Sequence, residues 1–222
     1  VARRRLIAGG AAVLLLAGGG AFLATRGEGP GILGFGDPEP ATPRFNFNVI
    51  DVALRTTTLT PLKQLEEKAE SVADDVAHQL DILYSGGFVD PGVWEDGDFE
   101  DLFDSVMDGG AAAQAAKSID TLTLGLGAAA IYDFVEPNIG RAQISVLTGT
   151  DDQPVEAIAQ VFFAATAEHD DGTFTKVVSE GTFYFKNIDG KWRIFSFDVT
   201  RNEKAAEGPV TPTATVSAEA TP

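Results

Sequence analysis

The chain has 222 residues, no cysteine, and 33 Asp+Glu against 16 Lys+Arg, a formal net charge of −17. The missing cysteine excludes a disulfide framework and Cys-based zinc or iron–sulfur sites. The acidic balance argues against nucleic acid, whose phosphates require a basic footprint. With 44% hydrophobic residues the chain has enough apolar material for one core of moderate size, and its two histidines leave little for a His-rich metal site or a Ser-His-Asp triad.

Arg3, Arg4 and Arg5 precede an uncharged, mostly apolar stretch from Leu6 to Thr25. As a helix it spans about 30 Å, the hydrocarbon thickness of a bilayer. The arginines favour the cytoplasmic side, so residues 1–26 are expected to form a membrane anchor with the following domain outside the cytoplasm. The alternative is a signal peptide cleaved near Gly19-Gly20-Ala21, followed by secretion; the apolar run is longer than a usual signal core. The glycines within the run are common in membrane spans and do not by themselves define a helix-dimer motif. No acidic residue precedes Glu28, so the outer part carries all 33 acidic residues and should be repelled by anionic headgroups. High acidity also keeps a domain dispersed, and that is the reading favoured here.

Residues 27–43, dense in Gly and Pro, read as a stalk. Residues 205–222 read as a disordered Thr/Ala/Pro tail, too poor in apolar side chains to offset the entropy of ordering. The folded unit is expected at residues 44–204. Within it Pro61 to Tyr84 forms a helix: Leu62, Leu65, Ala69, Val72, Val76, Leu80 and Leu83 draw one apolar stripe. Thr60 and Pro61 should open this helix and Gly86-Gly87 should end it. Shorter helices are expected over Phe99 to Met107 and Ala111 to Ser118. From there the pattern turns extended, with a strand over Arg141 to Thr148. Val155 to Ala167, Thr173 to Lys186 and Lys191 to Thr200 then form an antiparallel meander, its turns carrying the Asp-Gly pairs at 171–172 and 189–190. Strands this long favour a curved sheet, with Gly181 marking the bend.

Helices followed by a curved sheet that ends on Asp189-Gly190-Lys191-Trp192-Arg193-Ile194 resemble the NTF2-like, cystatin-type α+β cone over about Pro61 to Arg201. The fold class is therefore α+β: an N-terminal transmembrane helix, then an NTF2-like domain. The layout is similar to that of membrane proteins associated with Mce lipid-import systems, and to conjugation-machine proteins that carry this domain behind one helix. That resemblance implies a Trp192 that plugs the core beside the first helix, and, in enzymes of this type, an Asp, His or Tyr inside the cone.

The acidic stretch Glu95 to Asp101 fails a calcium-loop template, since with Asp96 at position 1 the glycine position holds Asp101 and the last ligand position holds Met107. It reads instead as an acidic helix N-terminus. No metal site and no cofactor are expected. Tyr132, Asp133 and Asp198 are the residues weighed for a cone interior; His78 is expected on the solvent face of its helix and His169 in a turn. No nucleophile–base pair is recognisable, so an enzyme is the third reading. A carrier or sensor of a small apolar ligand is the second, with pocket candidates Val161, Phe163, Val177, Phe183, Trp192 and Asp198. The first reading is an interaction module, an accessory subunit of a cell-envelope assembly that acts as a homodimer or on an envelope partner. It rests on apolar residues on both faces of the last strands, with interface candidates Phe162, Tyr184, Phe195, Phe197 and Val199. Cover by residues 45–54, or a bulge near Ser196 that swaps faces, would account for the same pattern without an interface.

Overall fold

The computed structural model describes residues 44–56, 62–97 and 99–208. The expected anchor, stalk, Thr60-Pro61 cap and most of the tail lie outside them. Among the described residues no helix is long and apolar enough to cross a membrane.

Strand β1 (Asn48–Arg55) precedes α1 (Leu62–Tyr84). The short helices α2 (Pro91–Asp96), α3 (Phe99–Val106), α4 (Gly109–Ala115) and α5 (Ile119–Leu122) follow. The chain then builds β2 (Tyr132–Thr148), β3 (Pro154–His169), β4 (Phe174–Ile188) and β5 (Lys191–Ala206). The five strands form one sheet in the order β1-β2-β3-β4-β5. β1 runs parallel to β2 and the other pairs are antiparallel, so the sheet is mixed where an antiparallel one was expected. The expected meander is present, while β2 begins at Tyr132, nine residues ahead of Arg141. β5 runs two residues past the expected domain boundary.

The apolar stripe of α1 from Leu65 to Leu83 is buried against the concave face of the sheet. Ala157 and Ala159 face inward on β3, and their small side chains let the helix approach the strand. The α-helix ends at Tyr84, just ahead of Gly86 and Gly87, as expected. The chain widens into a π-helical turn over Ser85–Val89 in which both are buried. A Cβ on Gly86 would stand 2.8 Å from Leu102 Cδ1, and one on Gly87 2.9 Å from the Leu122 carbonyl oxygen. These glycines serve close packing of the turn after α1 against α3 and the C-terminal end of α5.

The turn between β4 and β5 places Asp189 at φ 52° and Gly190 at φ 82°, two left-handed residues that match the twist of a tight hairpin. A few pairs further along β4 and β5 the register slips. Tyr184 lies opposite Ser196 and Phe185 opposite Ile194, which leaves Phe195 without a partner. From this bulge onward β5 presents odd-numbered residues to the concave side instead of even-numbered ones. The bulged segment is held by the helices: Asp108 N donates to the Ile194 carbonyl at 2.8 Å, and Arg193 Nη1 donates to the Asp104 and Met107 carbonyls at 2.7 and 3.0 Å. Lys186 pairs with Asp108 at 2.6 Å, and Asp108 also caps α4 by accepting from Ala111 N at 2.8 Å. Against the cost of its burial, the Lys186 ammonium and the capped amides hold the Asp108 carboxyl below its ordinary pKa.

Candidate functional site

Five of the six pocket candidates face the interior of the cone. Val161, Phe163, Val177, Phe183 and Trp192 are buried in the central cluster. Asp198 is not among them. Strict alternation along β5 would put Asp198 on the face of Trp192 and Ile194, but the bulge at Phe195 reverses it, so Asp198 is exposed on the opposite face. The same reversal moves two interface candidates inward: Val199 is buried, and Phe197 packs on the core with its ring 6.4 Å from that of Phe183.

The interior is filled by the protein's own rings. Tyr84 at the end of α1 packs against Phe47, Phe88 and Phe163 with centroids 4.8, 5.2 and 5.1 Å away. Phe45 reaches Phe47 at 5.1 Å and Phe163 at 5.2 Å. Tyr84 Oη and Ser179 Oγ share a buried hydrogen bond of 3.0 Å. Burial pushes the Tyr84 phenol well above its ordinary pKa, an effect the Ser179 contact only partly offsets, so the hydroxyl stays protonated. Among the described residues these rings occupy the space between α1 and the sheet where the pocket candidates point.

One carboxylate is buried beside these rings. Asp81, 8% exposed, accepts from Phe47 N at 2.6 Å. The Asn46 amide, in the orientation that satisfies both its ends, donates to Asp81 Oδ2 at 3.2 Å. Burial pushes the Asp81 pKa up to about 6, with the Phe47 amide and the charge of His78 pulling the other way. Asp81 is not among the candidates above, yet the sequence carries a signal for it. It follows the buried Ala73 and Ala77 at successive four-residue steps, which puts an acid on the apolar side of α1.

A second polar group lies where β2, β3, β4 and β5 end together. Tyr132 is buried and its ring stands 4.9 Å from that of His169, whose Nε2 lies 2.8 Å from Thr175 Oγ1. Burial first, then the charge of Glu203, raises the Tyr132 pKa against the opposing pull of Arg201. Arg201 donates to the Thr123 carbonyl and pairs with Glu203 at 3.3 Å. Asp133, weighed with Tyr132, points outward and is exposed. This arrangement ties strand ends to the helical layer. The His169–Thr175 pair spans six residues and closes the β3–β4 hairpin, Tyr132 is held in its donor form, and the charge of Arg201 is matched by Glu203. A nucleophile with its base and an oriented third group is not assembled here.

The convex face carries the remaining interface candidates. Ile158 lies opposite Tyr184 across β3 and β4, and the Tyr184 and Phe195 rings are 6.3 Å apart. Lys186 Nζ sits 5.3 Å over the Phe195 ring, and Phe162 lies one alternate pair away from Gln160 and Thr182 toward Glu180. All of these aromatic side chains are half-buried. Further along the same alternation, Thr166 and Glu168 help line a cleft of about 260 Å³ with Phe134, Glu136, Asn138, Phe174 and Glu207. Among the described residues no group of three or more His, Asp and Glu is placed to hold a metal ion. Glu100 and Asp101 lie in the first turn of α3, where the helix dipole favours them.

No family model matches the chain, and no curated protein does. Among solved structures, a type 2 hexachlorocyclohexane dehydrochlorinase (LinA) is similar over 69% of this chain and 99% of its own, with 8% sequence identity and a TM-score of 0.42. A likeness at that level carries no activity over to this chain.

Proposed function

We propose that residues 44–206 form an NTF2-like domain that works by binding a protein through its convex sheet face, held outside the cytoplasm by the apolar stretch Leu6 to Thr25, as an accessory subunit of a cell-envelope assembly. The observation that carries the reading is a contrast between the two faces of one sheet. The concave face is closed by the protein's own rings, whereas Ile158, Tyr184 and Phe195 form a half-exposed apolar row flanked by Phe162 on the other. An antiparallel meander with a solvated outer face should alternate apolar with polar residues, and this row departs from that pattern. Aromatic side chains fringed by charges such as Lys186 and Glu180 have the composition of a protein interface: an apolar centre with a polar rim. The run of arginines followed by an uncharged segment of membrane-spanning length supports the location.

A second copy of the chain is the occupant tested first. Native mass spectrometry of the chain should show a two-copy species that the Y184A/F195A variant loses while its circular dichroism is unchanged. A wild-type chain that stays single, and that captures no envelope protein dependent on Tyr184 and Phe195, overturns the interface.

A further inference from the structure

The four residues ahead of β1 lie outside the ladder that pairs β1 with β2; Arg44 and Asn46 are exposed, while Phe45 and Phe47 turn their rings onto the core. Phe45 sits directly over Gly140, where any Cβ would collide with its ring, so the strand has a gap where the ring needs one. Phe47 is buried against Tyr84. The backbone of this segment is fastened by two side chains one turn apart, Asp81 on α1 and Ser85 just after it. Ser85 Oγ accepts from Arg44 N at 2.9 Å and Phe45 N at 3.0 Å, and Asp81 accepts from Phe47 N and the Asn46 amide. Arg44 adds an exposed ion pair with Asp90 at 3.4 Å.

The backbone N–H groups of Arg44, Phe45 and Phe47 all donate to side-chain oxygens on the body, and Ser85 Oγ in turn donates to the Phe45 carbonyl at 3.4 Å, on a segment with no strand pairing of its own. Lifting the segment would uncover the Tyr84 and Phe163 rings that Phe47 and Phe45 cover, with the Asp81 carboxyl and the Ser85 hydroxyl at the rim deprived of those donors. Such a recess matches an aromatic ring system that carries an N–H, which is the chemistry that Phe47 and its amide supply from within the chain.

We propose that residues 44–47 are a releasable strap whose phenylalanine rings occupy a latent binding site of the cone, one that takes a flat aromatic ligand with a hydrogen-bond donor. This reading is independent of the convex face. It also gives the segment that joins residues 1–43 to the domain a role in closing the site. A ligand that binds only the strap-open state shifts the population toward it by as much as its affinity allows.

Amide hydrogen exchange of the full chain, resolved at single residues, tests the proposal with indole as the probe and benzofuran as its counterpart without the N–H. In the protein alone the Phe45 and Phe47 amides should exchange at least tenfold faster than those of Val76 and Leu80, because the strap opens without unfolding α1. Millimolar indole should speed the strap amides a further tenfold and leave α1 unchanged, with a smaller effect of benzofuran. Strap and α1 amides that exchange at one common rate overturn the strap. An indole effect that is absent, or spread equally over α1, overturns the site. Equal effects of indole and benzofuran overturn the recognition assigned to Asp81 and Ser85.

Discussion

Replacing Asp81 by Asn isolates one buried charge. Burial raises the Asp81 pKa from 3.8 to about 6, so the folded protein holds a proton that the unfolded chain has released between those values. The unfolded state then binds fewer protons than the folded one, and stability falls as pH rises through this window. The contribution is fully present below pH 3.8 and lost above about 6. At about 1.4 kcal/mol per pKa unit, the shift corresponds to about 3 kcal/mol as an upper limit. The amide of the D81N variant would retain an oxygen for the Phe47 N–H without carrying charge. Urea unfolding at pH 4 and pH 7.5 should therefore show D81N close to wild type at the lower pH and about 1–3 kcal/mol more stable at the higher. The difference between the two proteins removes the background repulsion among the remaining carboxylates. Parallel stability profiles for wild type and D81N would refute the assignment of a buried, proton-binding Asp81.

Gly181 lies between Val161 and Val199 in the sheet, and a Cβ there would collide with the Asp198 backbone carbonyl. Gly181→Ala should cost about 1–3 kcal/mol through overpacking, read as a lowered melting temperature; an unchanged melt would show that the strands separate freely. Trp94 is buried with its indole N–H unpartnered. Trp94→Phe removes an orphan donor worth about 1–3 kcal/mol while losing some packing, so the net change in urea stability should stay within about 1 kcal/mol. A loss well beyond that value would mean that the N–H has a partner after all.

The elements with the strongest local patterns were legible in the chain. The α1 stripe, the two Asp-Gly turns and the three meander strands each follow from a period of 3.6 or 2 closed by residues that tolerate left-handed backbone. The inward set Val161, Phe163, Val177 and Phe183 followed from the same alternation. A bulge near Ser196 is one of the alternatives the sequence leaves open, and β5 carries it at Phe195; the run Phe195, Ser196, Phe197 gives no local sign of which residue loses its partner. Contacts that stabilise the bulge come from α3 and the residues leading into α4, about ninety residues earlier, through Arg193 and Asp108. Asp198, Phe197 and Val199 therefore all lie on the faces opposite to those that unbroken alternation predicts, as a single register slip requires. Gly86 and Gly87 mark the end of α1 at Tyr84, and the tertiary structure adds that their missing Cβ atoms also let the following turn pack against Leu102 and Leu122.

Local sequence by itself determined that this is an acidic, cysteine-free α+β chain with one long amphipathic helix and a closing three-strand meander. These properties depend on composition and on contacts between residues a few positions apart. Whether the cone would be open or filled depended on Phe45 and Phe47, about forty residues from Tyr84 and over a hundred from Phe163 in sequence. No periodicity links residues so far apart. Only the packing of residues 45–47 onto α1 and the sheet brings those rings together, while Phe162, Tyr184 and Phe195 stay half-buried on the opposite face.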